Sequence, residues 1–483
     1  MPMDHSCCNR QMTVRSRREF LTTSGFGFGG LALGYLLNRE QALGSVGSSA
    51  PVNPLASRTP HFPAKGKSVI CLYMKGGPSQ MDSFDPKPLL SRLDGQPIPP
   101  SFVTKDLDLQ FVKVEDMKLL GSRRTFRKYG QSGLEISDLF SRVGQHADDL
   151  AVIRSCYHDS FIHGPAMSVM LTGSVRLGHP SVGAWVVYGL GSETENLPAY
   201  VAMSEGAGVS TKAVYGAGFL PAAYQGTFMR TEGNPLRNLT PPIDPGNQRK
   251  ILDQVGRWNQ RHLDQQRQDD SRLAARLTNY ELAFRMQTAA PELIDISSEP
   301  EHVRQMYGLN SDNTAKFGRM CLLARRMVER GVRFIQLYKS GWDGHTENDQ
   351  LHVGSAAKID QPIAGLISDL KQRGLLDSTL LVWTGEFGRT PINQGKMGRD
   401  HNPYGFTTWM AGGGIRGGKA IGATDELGFR AVENRVHVHD LHATILSLLG
   451  LDHEKLTYFF EGRNRRLTDV GGQNDLSGKL VAG

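Results

Sequence analysis

Apolar residues in this chain fall into two kinds of run. Six are short, nearly continuous and bounded by polar turns: Val69 to Met74, Leu150 to Ile153, Tyr200 to Met203, Phe334 to Tyr338, Leu380 to Thr384 and Thr407 to Ala411. Strands buried on both faces read this way, whereas a strand with one wet face alternates. Other segments carry the helical period: Ile359, Ile363, Leu366, Ile367 and Leu370 make a stripe that stops at Gly374, and Leu441, Ile445, Leu448 and Leu449 make one that stops at Gly450. Strands alternating with helices predict a three-layer, doubly wound α/β domain with a mainly parallel sheet. The rhythm breaks at about 246–307, where Arg, Gln and Asp are dense and Ile251, Leu252, Val255, Trp258, Leu273, Leu277, Leu282 and Phe284 supply the apolar positions. That stretch predicts surface helices inserted into the body, a candidate cap over the site, with most of its charge on a solvated face.

The two ends do not follow the pattern. Ser16-Arg17-Arg18-Glu19-Phe20-Leu21 precedes the weakly hydrophobic stretch Leu31 to Leu37, and Gly25, Gly27, Gly29, Gly30 and Gly34 dilute the whole segment from Phe20 to Leu37 below what a membrane anchor needs. Residues 1–50 resemble a twin-arginine export signal, which implies the Tat translocase as a partner, transport of the folded chain and a periplasmic or extracellular destination. Gly25-Phe26-Gly27-Phe28-Gly29-Gly30 has the G-x-G-x-x-G spacing, but no strand precedes it, so a dinucleotide site is rejected. Residues 51–66 are rich in Pro, Ser and Ala and read as a linker; the α/β domain is expected over 67–470 and a tail over 471–483. No stable membrane span is expected once the signal is cleaved.

Composition narrows the class. With 39% apolar and 21% charged residues, the chain is neither disordered, fibrous nor a polytopic membrane protein. The net charge is +7 and only +5 of it lies beyond residue 50, too little and too scattered for a nucleic-acid partner. Past the leader, Cys71, Cys156 and Cys321 are odd in number with no C-x-x-C spacing, which predicts buried free thiols. Glycine is in excess, with 55 residues of 483, or about 11% against a usual ~7%.

Much of that glycine lies just after the apolar runs, where an α/β sheet gathers its ligands. Asp82 and Asp85 follow the first run, His158 and His163 the second, Asp343-Gly344-His345 the fourth and Glu386 the fifth, while His401 stands before the last. Carboxylate oxygens and imidazole nitrogens are what a divalent cation needs, and neighbouring glycines let the backbone turn sharply beside it. Asp343 and His345, two residues apart in a turn, are the sharpest pair. Gly412 to Gly418 lacks the Lys-Ser/Thr of a phosphate-binding loop and is expected to form tight turns.

Several segments resemble a known superfamily. Val152-Ile153, then His163-x-Pro165, then Leu171-Thr172-Gly173 is similar to the nucleophile segment of sulfatases; Val382 to Gly388 is similar to a later metal-binding strand end of the alkaline phosphatase and sulfatase superfamily. His401 is placed like that superfamily's late ligand, and Asp440-Leu441-His442-Ala443-Thr444-Ile445-Leu446 resembles its C-terminal helix. With Gly76-Gly77-Pro78-Ser79, Gly341-Trp342-Asp343 and the leader, the whole chain resembles an exported family of the superfamily, the domain-of-unknown-function 1501 proteins common in planctomycete-type bacteria. The resemblance puts His163 at the position of the Ser, Thr or Cys nucleophile and Phe387 where a metal-binding His would stand, so the covalent mechanism does not carry over.

The expectation is therefore a metal-dependent hydrolase acting on phosphate or sulfate esters, free or on a glycan, through a metal-activated water. Asp82, Asp343, Glu386 and His401 are the expected ligands of a divalent ion (Zn, Ca, Mg or Mn), and His163 and His345 the proton-transfer groups or further ligands. Arg389 is the expected contact for the ester's anionic oxygens, with Lys75 and Arg399 behind it. The alternative is a non-catalytic binding or scaffold protein that keeps the fold and a structural metal.

Overall fold

A computed structural model describes residues 53–102, 117–205, 212–230, 243–265 and 271–481, so the expected export signal lies outside the described residues. In chain order the described strands are β1 (Ser68–Lys75), β2 (Phe126–Tyr129), β3 (Leu134–Ser137), β4 (Leu150–Tyr157), β5 (Tyr200–Ser204), β6 (Thr227–Arg230), β7 (Phe334–Ser340), β8 (Thr379–Thr384), β9 (Gly388–Arg389), β10 (His401–Asn402), β11 (Phe406–Gly412), β12 (Lys419–Ile421), β13 (Ala423–Thr424), β14 (Ala431–Glu433), β15 (Val436–His437), β16 (Tyr458–Phe460) and β17 (Arg463–Arg465). The central sheet runs β12-β4-β11-β8-β1-β7-β5-β6, with β15 added beside β4. All six apolar runs are strands of this sheet.

The helices that matter below are α1 (His163–Thr172), α2 (Val182–Leu190), α3 (Pro245–Gln265), α4 (Ser271–Ile294), α5 (Glu301–Met306), α6 (Asp312–Glu329), α7 (Asn348–Gln372) and α8 (Val438–Leu448). Alternate residues of each strand feed opposite layers, as a period of two requires. Ile70, Leu72 and Met74 of β1 join α6 and α7 through Met320, Leu323, Ile359, Ile363 and Leu366. Val69, Cys71 and Tyr73 join α1, α2 and α8 through Met167, Trp185, Leu441 and Ile445. The result is an α/β fold of three layers with a mixed, mostly parallel sheet.

Two expectations change. β11 runs antiparallel to both β4 and β8, because residues 385–405 between β8 and β11 form the β9–β10 ladder and no crossover helix that would carry the chain back to the other end of the sheet. The inserted helices α3 and α4 do not cap the strand ends that carry the candidate ligands. They pack beside Ala199, Tyr200, Ala223 and Thr227, over a cleft of about 430 Å³ at the opposite, amino-terminal end of β5. Gly412, Gly413, Gly414 and Gly418 all take positive φ in the turns between β11 and β12. Cys71, Cys156 and Cys321 are buried free thiols.

Candidate metal centre

The chain order of the sheet brings distant residues to one edge. His163 opens α1 just after β4, Asp343 and His345 follow β7, Glu386 follows β8, and His401 lies directly opposite Arg389 across the β9–β10 ladder. Trp342 is fully buried and anchors the turn after β7, leaving Asp343 on the open side. Close backbone passage makes this possible at Gly76, whose φ is +119° and whose Cβ would stand 2.5 Å from the Asp343 amide nitrogen. Gly398 is equally constrained, since a Cβ there would run into the His345 carbonyl.

Four side chains, His163, Asp343, His345 and His401, place one ligand atom each within 4.8 Å of all the others. Asp343 is the hub: its Oδ2 lies 3.1 Å from His163 Nε2, and its Oδ1 lies 3.0 Å from His345 Nε2 and 3.4 Å from His401 Nε2. Behind each ring stands an acceptor. His163 Nδ1 is 2.7 Å from Glu386 Oε1, His345 Nδ1 is 2.7 Å from Gln394 Oε1, and His401 Nδ1 is 2.9 Å from the Phe161 carbonyl. This arrangement holds each proton on Nδ1 and turns each Nε2 lone pair inward, as metal-binding histidines require.

The inward lone pairs are poorly served by the protein alone. His345 Nε2 and His401 Nε2 face each other at 3.0 Å, and with both Nδ1 atoms engaged by oxygens that only accept, two lone pairs point into the same space. His163 Nε2 is buried without a hydrogen bond among the described residues, its approach to Asp343 being short but out of line. A divalent cation resolves both defects, and three imidazoles with one carboxylate suit a borderline ion such as zinc better than the oxygen-loving Ca or Mg. The residues present therefore fit a metal ion.

Electrostatics point the same way. Burial disfavours a charged His163, yet the Asp343 and Glu386 carboxylates beside it win and push its pKa up to about 9. Burial would raise the Asp343 carboxyl, but His163, His401 and Arg389 hold it far below the usual carboxylate range. For His401 burial dominates and pulls the imidazole down, helped by Arg389 and His163. A His401 imidazole pushed toward its neutral form beside an Asp343 carboxylate that stays ionised suits a bound cation.

Three expected roles are corrected by these positions. Asp82 is outside the cluster: it is 2% exposed, accepts from Ser79 Oγ at 2.6 Å and pairs with Arg399 at 3.0 Å. Glu386, fully buried, is not among the converging ligands; its Oε1 accepts from His163 Nδ1 and from the Gly76 amide at 2.8 Å, so it orients a ligand. Arg389 is fully buried, and its guanidinium donates to the Gly76, Gly77 and Arg399 carbonyls and to Asp343 Oδ1 at 2.7 Å, leaving it committed to the scaffold and not to an ester. His345 and His163 join Asp343 and His401 in the cluster that could hold an ion. Gln394, unremarked in the sequence, holds His345 from a tight turn in which the Gln394 amide donates to Gly398 O at 2.8 Å; its only sequence signal was the glycine at each end of Gly395–Gly398.

The class defined by this sheet and site is an α/β protein with a His/Asp cluster at its strand ends, and it is similar to solved structures of the alkaline phosphatase and sulfatase type. These include the lipoteichoic acid synthase LtaP from Listeria monocytogenes (10% identity, TM-score 0.39, covering 88% of this chain and 79% of that one) and the PsFucS1 sulfatase from Pseudoalteromonas sp. (12%, 0.34, 84% and 72%). A TAB5 alkaline phosphatase variant with Mg bound gives 12% identity and a TM-score of 0.35, covering 80% of this chain and 99% of that one. No curated protein matches the chain. Residues 66–477 match the model described as protein of unknown function (DUF1501), and the chain belongs to that family.

Proposed function

We propose that this protein is an exported, metal-dependent hydrolase of phosphate or sulfate esters, with His163, Asp343, His345 and His401 holding the ion. The observation that carries the reading is the convergence of three imidazoles, each oriented by an acceptor behind it, on one carboxylate. The centre is open: the Asp343 side chain is 46% exposed and that of His345 38%, whereas structural zinc sites are closed. When bound, the ion would supply a water of lowered pKa and polarise an ester oxygen.

The chain's own residues position and protect that chemistry. Glu386, Gln394 and the Phe161 carbonyl fix the three rings, Arg389 fixes the carboxylate, and Phe387 covers the floor with its ring 4.3 Å from that of His401 and 5.0 Å from that of His163. The ester class rests on the resemblance of the segments around His163, Glu386 and Asp440 to phosphatases and sulfatases. A histidine at the nucleophile's position supports direct attack by water over a covalent ester intermediate. The paired Arg17 and Arg18 ahead of a weakly hydrophobic stretch support export through the Tat translocase to the periplasm or beyond.

Elemental analysis of the purified full chain, followed by a panel of phosphomonoester, phosphodiester and sulfate ester substrates, tests the proposal. Stoichiometric zinc-class metal, lost on chelation and absent from Asp343→Asn, with metal-dependent turnover of one ester class, is the expected result. A chain that neither retains nor takes up Zn, Mn, Mg or Ca overturns the metal centre. Tight metal without turnover replaces the hydrolase by a scaffold with a structural ion.

A further inference from the structure

Helix α3 has a face that nothing among the described residues covers. Ile251 and Trp258 are 53% and 59% exposed, and Val255 between them is half-buried, so positions i, i+4 and i+7 form an apolar stripe on the outside of the protein. The inward side of the same helix is satisfied: Gln248 and Leu252 line the cleft shared with α4, and Arg249 pairs with Glu281 at 2.6 Å and stacks on Phe284. The outward stripe is therefore not a core face left over from packing.

Its flank is cationic. At about 100° per residue, Lys250, Arg257 and Arg261 fall together on one side of the Ile251–Trp258 stripe, and all three are exposed. Asp253 is drawn to Arg249 at 2.6 Å and does not neutralise them. An indole and an isoleucine beside three basic residues is the arrangement of a helix that lies in the plane of a bilayer, with its apolar residues at the acyl boundary and its cations on lipid phosphates. Among the described residues no helix is long and apolar enough to cross a membrane, so such an attachment is peripheral.

We propose that α3 docks the protein on an anionic phospholipid surface through Ile251, Val255 and Trp258, with Lys250, Arg257 and Arg261 supplying charge complementarity. The proposal is independent of the metal centre, since α3 packs at the amino-terminal end of β5 and the cluster lies at the carboxyl ends of the strands. A protein docked in this way turns its His/Asp cluster away from the lipid.

Co-sedimentation of the full chain with phosphatidylcholine vesicles, with and without about a third phosphatidylglycerol, tests it. Binding is expected only to the anionic vesicles and weakens with salt. Each basic residue contributes about a factor of five near such a surface, so Lys250→Gln/Arg257→Gln/Arg261→Gln weakens binding roughly 100-fold. Trp258→Ser weakens it about tenfold or more, with thermal midpoint and metal content unchanged in both variants. The leader is common to wild type and variants, so the difference between them isolates α3. Equal binding of all three proteins, no binding to anionic vesicles, or a concentration-dependent dimer that Trp258→Ser dissociates each overturns the proposal, the last by assigning the face to a second copy.

Discussion

Glu386 shows how a single buried group sets the quality of the centre. It is fully buried, and one oxygen is shared by the Gly76 amide and His163 Nδ1. Replacing it by Gln keeps the shape and removes the negative charge that makes His163 a better donor, so Glu386→Gln should weaken metal affinity 10–100-fold in a competitive chelator titration; unchanged affinity would reduce Glu386 to a packing residue. Two other histidines govern acid stability. His158 donates to the Glu386 carbonyl and accepts from the Ser160 amide, and burial pulls its pKa down to about 4; His442, buried with an unpartnered Nδ1, is pulled down to about 3. Both are neutral when folded but protonate near pH 6.5 when unfolded, so the unfolded state binds more protons between pH 6.5 and about 4. Stability is therefore fully present above pH 6.5 and falls as the pH drops through that window, and a thermal midpoint flat from pH 7 to 4 would refute the assignment. At this scale the sequence showed which residue types could bind an ion, because Asp343-Gly344-His345 and His401 sit in glycine-flanked turns. It could not divide ligands from supports: Asp82 and Arg399 neutralise each other across 317 positions, and Glu386 meets His163 across 223.

Between elements, the strongest fastening is ionic. Arg325 on α6 is 2% exposed, donates to Glu329 at 2.7 Å and forms ion pairs with Glu299 at 2.7 Å and Asp369 of α7 at 2.9 Å, while Tyr307 donates to the same Asp369. Glu299 lies between α4 and α5, so this network ties the inserted helices to the layer beneath. Arg325→Ala removes one cation from each of three carboxylates that keep a second, Glu299 with Arg326 and both Asp369 and Glu329 with Arg373, and should cost about 1.5–3 kcal/mol in denaturant unfolding; a loss under about 1 kcal/mol would show that water replaces the guanidinium. The apolar runs located every long strand of the sheet, since continuous burial is written locally. They could not give the direction of β11, which depends on how the chain returns through β9 and β10. They also missed the short edge strands β6 and β12, whose residues Thr227, Arg230 and Lys419 carry no such run.

For the whole molecule, the three described cysteines are thiols, with burial pushing Cys71 and Cys156 up to about 12. A thiol-free reductant such as tris(2-carboxyethyl)phosphine should leave the thermal midpoint unchanged, and a drop of several degrees at unchanged metal content would reveal a disulfide. The three-layer class was legible because alternation of strand and helix patterns is a whole-chain property, while the position of the inserted helices was not, because their outer and inner faces are both partly apolar. The thiols bear on how the protein matures. Among the described residues no disulfide is part of the fold, so the folding of this part needs no oxidation step. On the folded-export reading proposed above, the chain would leave its first compartment already able to hold an ion, and the open centre, with Asp343 46% exposed, would leave that ion exchangeable in the surroundings where the protein finally works.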